Sequence, residues 1–240
     1  MDIVRDLENV PEGLRQASVA LGNFDGVHKG HREVISTAQA RAAELGVGNG
    51  VMFFNPHPRR YFSPDNAFFR LTPQPLKLRI LAALGVDIAI IVPFNADLAA
   101  LSPEQFVSRI LVDSLAVRHV VAGWDFRFGA KRAGDADALT QFGAEFGFGV
   151  SIVKPLADGV GEAFSSTRVR QLLASGDPRG AAEILGYRWR LAETVVSGEG
   201  RGGGLGFPTI NMSLDPGVAL AHGIYAVRVR VGDQIFGGAA

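Results

Sequence analysis

The chain contains no cysteine. That absence removes disulfides, thiolate metal sites and cysteine nucleophiles together, and it fits a reducing compartment, so a cytoplasmic location is the expectation. Charge of one sign is also missing: 24 Lys and Arg stand against 24 Asp and Glu, for a formal net charge of +0. A neutral chain offers no electrostatic case for nucleic acid or for an anionic membrane surface. No apolar run is long enough to span a bilayer, the best candidate being broken by Asp87. The opening residues, Met1 to Glu8, lack the basic start and apolar core of a secretory signal. There is no internal repeat, and the only low-complexity tract is the run of glycines near position 203. What is present is ordinary: 240 residues, 47% hydrophobic and 20% charged, enough for one large domain or two smaller ones with a real core.

From Ala17 to about Lys154 the pattern alternates. Short apolar runs lie at Ala17–Leu21, Val51–Phe54, Ile88–Val92, His119–Ala122 and Val150–Val153. Amphipathic stretches separate them, at Arg32–Leu45, Gln74–Leu84, Pro103–Leu115 and Ala136–Phe146. Strands alternating with helices predict a parallel sheet with right-handed crossovers, a Rossmann-like α/β domain. Ligands of such sheets sit at the carboxyl ends of the strands, so the loops after each apolar run are the ones to inspect. Near Gly186 the periodicity changes. Trp189–Ser197 and Ile224–Val231 alternate like antiparallel strands. The expected domains are residues 1–186, built on the parallel sheet, and 187–240, part of an antiparallel β-barrel.

The loop after the first run is Gly22-Asn23-Phe24-Asp25-Gly26-Val27-His28-Lys29-Gly30-His31. A strand, a glycine-punctuated turn and a helix start make an anion site, because free N–H groups and the positive end of the helix dipole point at whatever sits above the turn. His28 and His31 can face the same spot from the first helical turn, as donors to a polyphosphate. Far along the chain, Phe164-Ser165-Ser166-Thr167-Arg168-Val169-Arg170 opens another helix. Hydroxyls and free N–H groups there also suit phosphate oxygens, and Arg170, one turn in, adds a bidentate fork. Two further loops carry candidates. After the second run comes Asn55-Pro56-His57-Pro58-Arg59-Arg60-Tyr61-Phe62, where two prolines stiffen the chain and hold it extended. After the fourth comes Gly123-Trp124-Asp125-Phe126-Arg127-Phe128-Gly129, whose alternate aromatics can flank a planar ring while Asp125 accepts from an amine or a ribose hydroxyl.

His-x-Gly-His after a first strand resembles the signature of the nucleotidylyltransferase superfamily. The longer Gly-Asn-Phe-Asp-Gly-Val-His-x-Gly-His is similar to one branch of it, the prokaryotic bifunctional riboflavin kinase/FAD synthetases. Ser165-Ser166-Thr167-x-x-Arg170 resembles the superfamily's second phosphate motif, with Phe164 where isoleucine is usual. The resemblance implies adenylyl transfer from ATP to FMN, giving FAD and pyrophosphate, with Mg2+ bridging phosphates. It implies catalytic roles for His28, His31 and Arg170. Gly22, Asn23, Phe24, Asp25, Gly30, Asp125, Ser166 and Thr167 would border the nucleotide, and His57, Phe62, Phe126 and Phe128 the flavin. Further on, Gly198 to Asn211 resembles the riboflavin kinase segment, in which the Thr and Asn of Pro-Thr-x-Asn hold Mg2+ and ATP phosphates. They correspond to Thr209 and Asn211, while Gly203 stands where a second arginine is common and Ile210 replaces the usual alanine. In that family a glutamate serves as general base toward riboflavin. No glutamate follows Glu199, so the expectation is an adenylyltransferase followed by an unfinished kinase domain. Two other readings stay open: another nucleotidylyltransferase, acting on pantetheine phosphate or nicotinamide mononucleotide, and a flavin-nucleotide binding module without turnover. Oligomeric state is not fixed by the sequence.

Overall fold

The computed structural model describes residues 1–65, 68–197, 209–215 and 217–240. Six parallel strands form its main sheet: β1 (Asp2–Val4), β2 (Ser18–Leu21), β3 (Asn49–Asn55), β4 (Ile88–Pro93), β5 (His119–Gly123) and β6 (Gly149–Val153). Their order across the sheet is β1-β4-β3-β2-β5-β6. Five of the six match the predicted apolar runs. The sixth, β1, is three residues long and pairs with β4 at the sheet edge, too short to leave a periodic signal. The strands read as continuous apolar runs because both faces are covered. Val19, Leu21, Met52, Ile90 and Val120 face one side, against Val107, Leu111, Leu115 and Leu139. Ala20, Val51, Phe53, Ile91 and Val121 face the other, against Val34, Ile35, Ala38 and Leu81.

Helices α1 (Lys29–Leu45), α3 (Gln74–Ala83) and α6 (Ala136–Phe146) fill the predicted crossovers. Two short helices, α2 (Pro58–Phe62) and α4 (Ala96–Ala100), occupy loops after β3 and β4. The loop around His57 was expected to be extended. Instead Pro58 opens α2, where a residue without an N–H costs nothing and its fixed φ is already helical. Helix α5 (Pro103–Phe106) starts from a capping box at Ser102 and Gln105 and continues into a π-wound segment, Val107–Ser114.

After β6 the chain forms α7 (Ser166–Ala174) and α8 (Pro178–Leu185). They enclose a third apolar cluster with Phe69, Leu71, Trp189, Val218 and Leu220. The antiparallel part consists of two pairs. β7 (Val195–Val196) pairs with β8 (Asn211–Met212), and β9 (Ala226–Val231) with β10 (Gln234–Ala239). The expected strand from Trp189 is thus reduced to Val195–Val196. The reason is Trp189 itself, which turns back into the third cluster: its indole N–H donates to the Leu71 carbonyl at 3.0 Å and its ring packs edge-on against Phe69. The glycine-rich loop from Gly198 to Pro208, with Gly203, lies outside the described residues.

Candidate active site

Counted from β2, strands β3 and β4 run one way across the sheet and β5 and β6 the other. The order reverses between β2 and β5, and the crevice outside their carboxyl ends is where an open α/β sheet binds its ligand. The turn after β2 is built under strain. Phe24 and Val27 hold φ of 47° and 41°, and Gly26 holds 87°. A non-glycine residue there costs about 1–3 kcal/mol and persists only where its surroundings over-determine it. They do: Phe24 and Val27 are buried, Gly26 N–H donates to Thr72 Oγ1 at 2.9 Å, and the Tyr187 hydroxyl donates to the Gly26 carbonyl at 2.7 Å.

Helix α1 begins at Lys29, earlier than the apolar pattern indicates, because His28 caps it. Its Nδ1 accepts from the His31 N–H at 3.3 Å. The two imidazoles are stacked, centroids 3.6 Å apart and planes 21° from parallel, and Phe24 meets the His31 ring edge-on. Burial, and then Arg170, lower His28 to about 4; burial, then His28 and Lys77, hold His31 well below its usual value. Both rings are therefore neutral at pH 7, a form that offers an N–H donor rather than a cation. The Nδ1 of His31 is buried with no hydrogen-bond partner among the described residues. Gly30 lets this turn approach the second motif: a Cβ would stand 3.2 Å from His28 Nδ1 and 3.4 Å from the Phe164 carbonyl.

That second motif lies on the tip of α7, where Ser166 is 141 residues from Asp25 of the β2 turn. Ser165 caps the helix by accepting from Arg168 N–H at 3.2 Å, which leaves the Ser166 and Thr167 N–H groups without intrahelical partners. The Ser166 hydroxyl is already used: it donates to the Asp25 carbonyl at 2.7 Å and pins α7 to the β2 turn. The groups this tip has left to offer an anion are thus backbone N–H groups rather than the Ser166 hydroxyl. Asp25 is likewise committed. Its carboxylate accepts from Leu71 and Thr72 N–H at 3.2 and 3.1 Å and pairs with Arg170. It is 3% exposed, so it organises the site rather than bordering a nucleotide. Arg170 spends Nε on the Phe69 carbonyl at 2.6 Å and Nη2 on Asp25, which leaves Nη1 without a hydrogen-bond partner among the described residues.

His57 caps α2, accepting from Arg59 N–H at 3.2 Å, with its ring 4.5 Å from that of Phe68. Burial, then the cations Lys77, Arg170, Arg70 and Arg59, lower it to about 3. Beside it opens a small cavity lined also by Asn55, Arg70, Thr72, Gln74 and Lys77. Phe62, 66% exposed, lies over Phe94 next to this loop. Trp124 and Asp125 are exposed after β5. Phe126 and Phe128 do not flank an open slot. Phe128 is 5% exposed in the core, between Phe106 and Phe126, and the Gly134 backbone lies so close that a Cβ there would stand 2.7 Å from its ring. Phe128 packs the floor of the β5 loop, which corrects its expected flavin contact, while Phe126 is half-buried beside it. Thr209 and Asn211 are exposed, Asn211 in β8.

Sequence reasoning passed over Lys77, Thr72 and Tyr187. Lys77 had left a signal: it is a charge on the apolar face of α3, between Leu76 and Ile80, and all three are buried. Thr72 and Tyr187 had none, since each acts only through a turn distant in the chain.

A strained strand–turn–helix anion site at the switch point of a parallel sheet, completed by a second helix tip, defines a nucleotidylyltransferase-type α/β enzyme. The sequence model described as FAD synthetase matches residues 10–168, and that described as riboflavin kinase matches residues 185–240. The bifunctional riboflavin kinase/FMN adenylyltransferase of Escherichia coli K12 is 39% identical over 230 residues, 95% of this chain and 73% of the relative. The enzyme of the same name from Pseudomonas fluorescens is 39% identical over 245 residues, covering 100% of this chain and 76% of its own. That of Listeria monocytogenes is 38% identical over 218 residues, covering 90% and 68%. A crystal structure from Streptococcus pneumoniae, described as a macrolide-efflux protein, superposes with a TM-score of 0.86 at 28% identity, covering 100% of this chain and 78% of that one. The chain belongs to the FAD synthetase family. Among the described residues no helix is long and apolar enough to cross a membrane.

Proposed function

We infer that the chain forms FAD by transferring the adenylyl group of ATP to FMN. The observation that carries the reading is the convergence of the two phosphate motifs: Ser166 and Arg170 of α7 both fasten to Asp25 in the turn that precedes His28. An oxygen of the FMN phosphate attacks the α-phosphorus of ATP. The bond from that phosphorus to the bridging oxygen breaks, and its electron pair leaves with pyrophosphate. The attacking oxygen is already anionic, so no strong base is required. Catalysis is then positioning plus stabilisation of charge building on the α-phosphate and the leaving group. Neutral His28 and His31 donate toward the α- and β-phosphates. The free N–H groups of Ser166 and Thr167, with Arg170 Nη1, hold the outer phosphates. Gly22, Asn23 and Asp125 border the nucleotide at the switch point; His57 and Phe62 border FMN.

Among the described residues no group of three His, Asp or Glu side chains gathers to hold a metal, and the one buried acid in the cleft, Asp25, is fully engaged. The cleft therefore suits Mg2+ carried on the triphosphate oxygens, where it would screen phosphate charge. For residues 187–240 the proposal is a riboflavin kinase portion in which Thr209 and Asn211 face Mg2+ and ATP phosphates. A cytoplasmic site of action goes with both substrates, since ATP and FMN are supplied there.

The test is a product assay. Chain, FMN and ATP should yield FAD and pyrophosphate one for one. Pyrophosphate from pantetheine phosphate or nicotinamide mononucleotide instead would move the assignment within the superfamily, and FMN binding without pyrophosphate would make the chain a binding module.

A further inference from the structure

Lys77 is the one buried cation of the cleft that the mechanism above leaves unused. It is 6% exposed, yet its Nζ makes no ion pair among the described residues. One N–H donates to the Asn23 carbonyl at 2.6 Å, and the ammonium sits 4.4 Å from the Phe53 ring centroid. Its other two N–H groups have no described acceptor. A desolvated ammonium with unspent donors is costly, and an anion that fills them relieves that cost. Lys77 also lines the cavity beside His57, Arg70 and Thr72.

The position within the cleft says which anion. In the reading above the triphosphate is held by His28, His31 and the α7 tip. Lys77 lines a cavity with Phe53, Phe54 and Asn55, at the carboxyl end of β3, and with His57, and neither His28 nor the α7 tip lines it. An in-line displacement needs its nucleophile opposite the leaving pyrophosphate. The group that enters from the β3 side is therefore the acceptor. The surroundings are electropositive, since Lys77, Arg170, Arg70 and Arg59 all act on His57, and the only acid present, Asp25, is paired.

Resting on the adenylyltransferase reading, we propose that Lys77 is a catalytic residue of this site: its ammonium binds the phosphate monoester of FMN and aims it at the α-phosphorus of ATP. Arg70, at the same cavity, is the second cation in reach of that phosphate. The charge on Lys77 is also poised. Burial lowers it to about 8, with Asp25 raising it and Arg70 lowering it again; the other groups facing it, His31 and His57, are neutral. Above that pH the free enzyme loses the ammonium and its hold on FMN.

The test measures FAD formation by wild type, Lys77→Met and Lys77→Arg, varying FMN and ATP separately from pH 6.5 to 9.5. Lys77→Met fits the buried space without a charge and should fold, as thermal unfolding will show. It should raise the KM for FMN about 10- to 100-fold, the size expected for a lost charge-assisted hydrogen bond, while leaving the KM for ATP nearly unchanged. Wild-type kcat/KM for FMN should fall above about pH 8, following the free-enzyme Lys77. Lys77→Arg stays charged and should lose that alkaline limb. A wild-type KM for FMN in the Met variant overturns the proposal. So does a parallel rise of both KM values with a lowered Tm, which marks a structural lysine, or an alkaline limb that persists in Lys77→Arg. Absence of FAD from the wild type would instead overturn the reading beneath it.

Discussion

Asp25 shows how one side chain can govern a site without touching substrate. It is buried, and it joins Arg170 to the backbone of Leu71 and Thr72. Removing one member of a buried ion pair leaves the other uncompensated, so Asp25→Ala should cost about 3–5 kcal/mol in urea unfolding. It should also abolish FAD formation, because Arg170 would no longer be aimed. His31→Ala is different in kind. FAD formation should fall at least about tenfold, the loss of one oxyanion donor costing about 100- to 1000-fold, while FMN still binds. An unchanged turnover would remove His31 from the mechanism. The histidines also predict a pH dependence of stability. His28 and His57 have folded values of about 4 and about 3, and His31 lies well below 6.5. The unfolded chain binds more protons than the folded one between those values and about 6.5, so stability is full above about pH 6.5 and declines as pH falls toward 4. Urea midpoints measured from pH 4 to 8 check the sign. A midpoint that rises on acidification in that range would mean that the rings are charged in the folded protein.

Among the elements, the β2 turn and α7 carry the arrangement. Gly26 holds φ of 87° with Leu71 and Leu185 closing around it, so an added Cβ would stand 3.1 and 3.3 Å from their side chains. Gly26→Ala should therefore destabilise by about 1–3 kcal/mol in chemical unfolding. The sequence announced this element well, because a glycine pattern between a buried strand and an amphipathic helix is a local signal. It announced α7 equally well through Ser165 and Arg170. What it could not announce was the use to which each group is put. The Ser166 hydroxyl and the Asp25 carboxylate carry phosphate-site chemistry on paper, yet the fold spends both on each other's elements. Phe128 likewise has the composition of a ligand platform and the burial of a core residue. Such assignments depend on partners more than a hundred residues away, or on the neighbouring layer, and no spacing along the chain encodes them. Lys77 was half legible, as a charge on an apolar helical face.

Over the whole molecule, the segment after α8 closes on the cleft rather than standing apart. Trp189 bonds to Leu71, Arg60 of α2 pairs with Asp215 at 2.9 Å, and Gly217 packs on the Phe68 backbone. Phe68 to Thr72 thus lies between the adenylyl cleft and residues assigned to the second module. Trp189→Phe keeps an aromatic ring but loses volume and one hydrogen bond, so it should cost about 1 kcal/mol or more. The Arg60–Asp215 pair, more exposed, should be worth less and fade with salt. The alternation of strands and helices made the parallel sheet legible in full but for its shortest strand. The antiparallel part was legible only as a change of period, because two-stranded pairs bury too little to impose a strong pattern.

In the proposed reaction the β2 turn and the α7 tip grip one triphosphate. A double-mutant cycle on kcat/KM for ATP, using His28→Ala, Arg170→Ala and the double variant, tests it most directly, because groups that act on one transition state lose activity non-additively. The double variant should be little worse than the less active of the two single variants. Losses that multiply would mean that the two motifs act on separate events, and would contradict it.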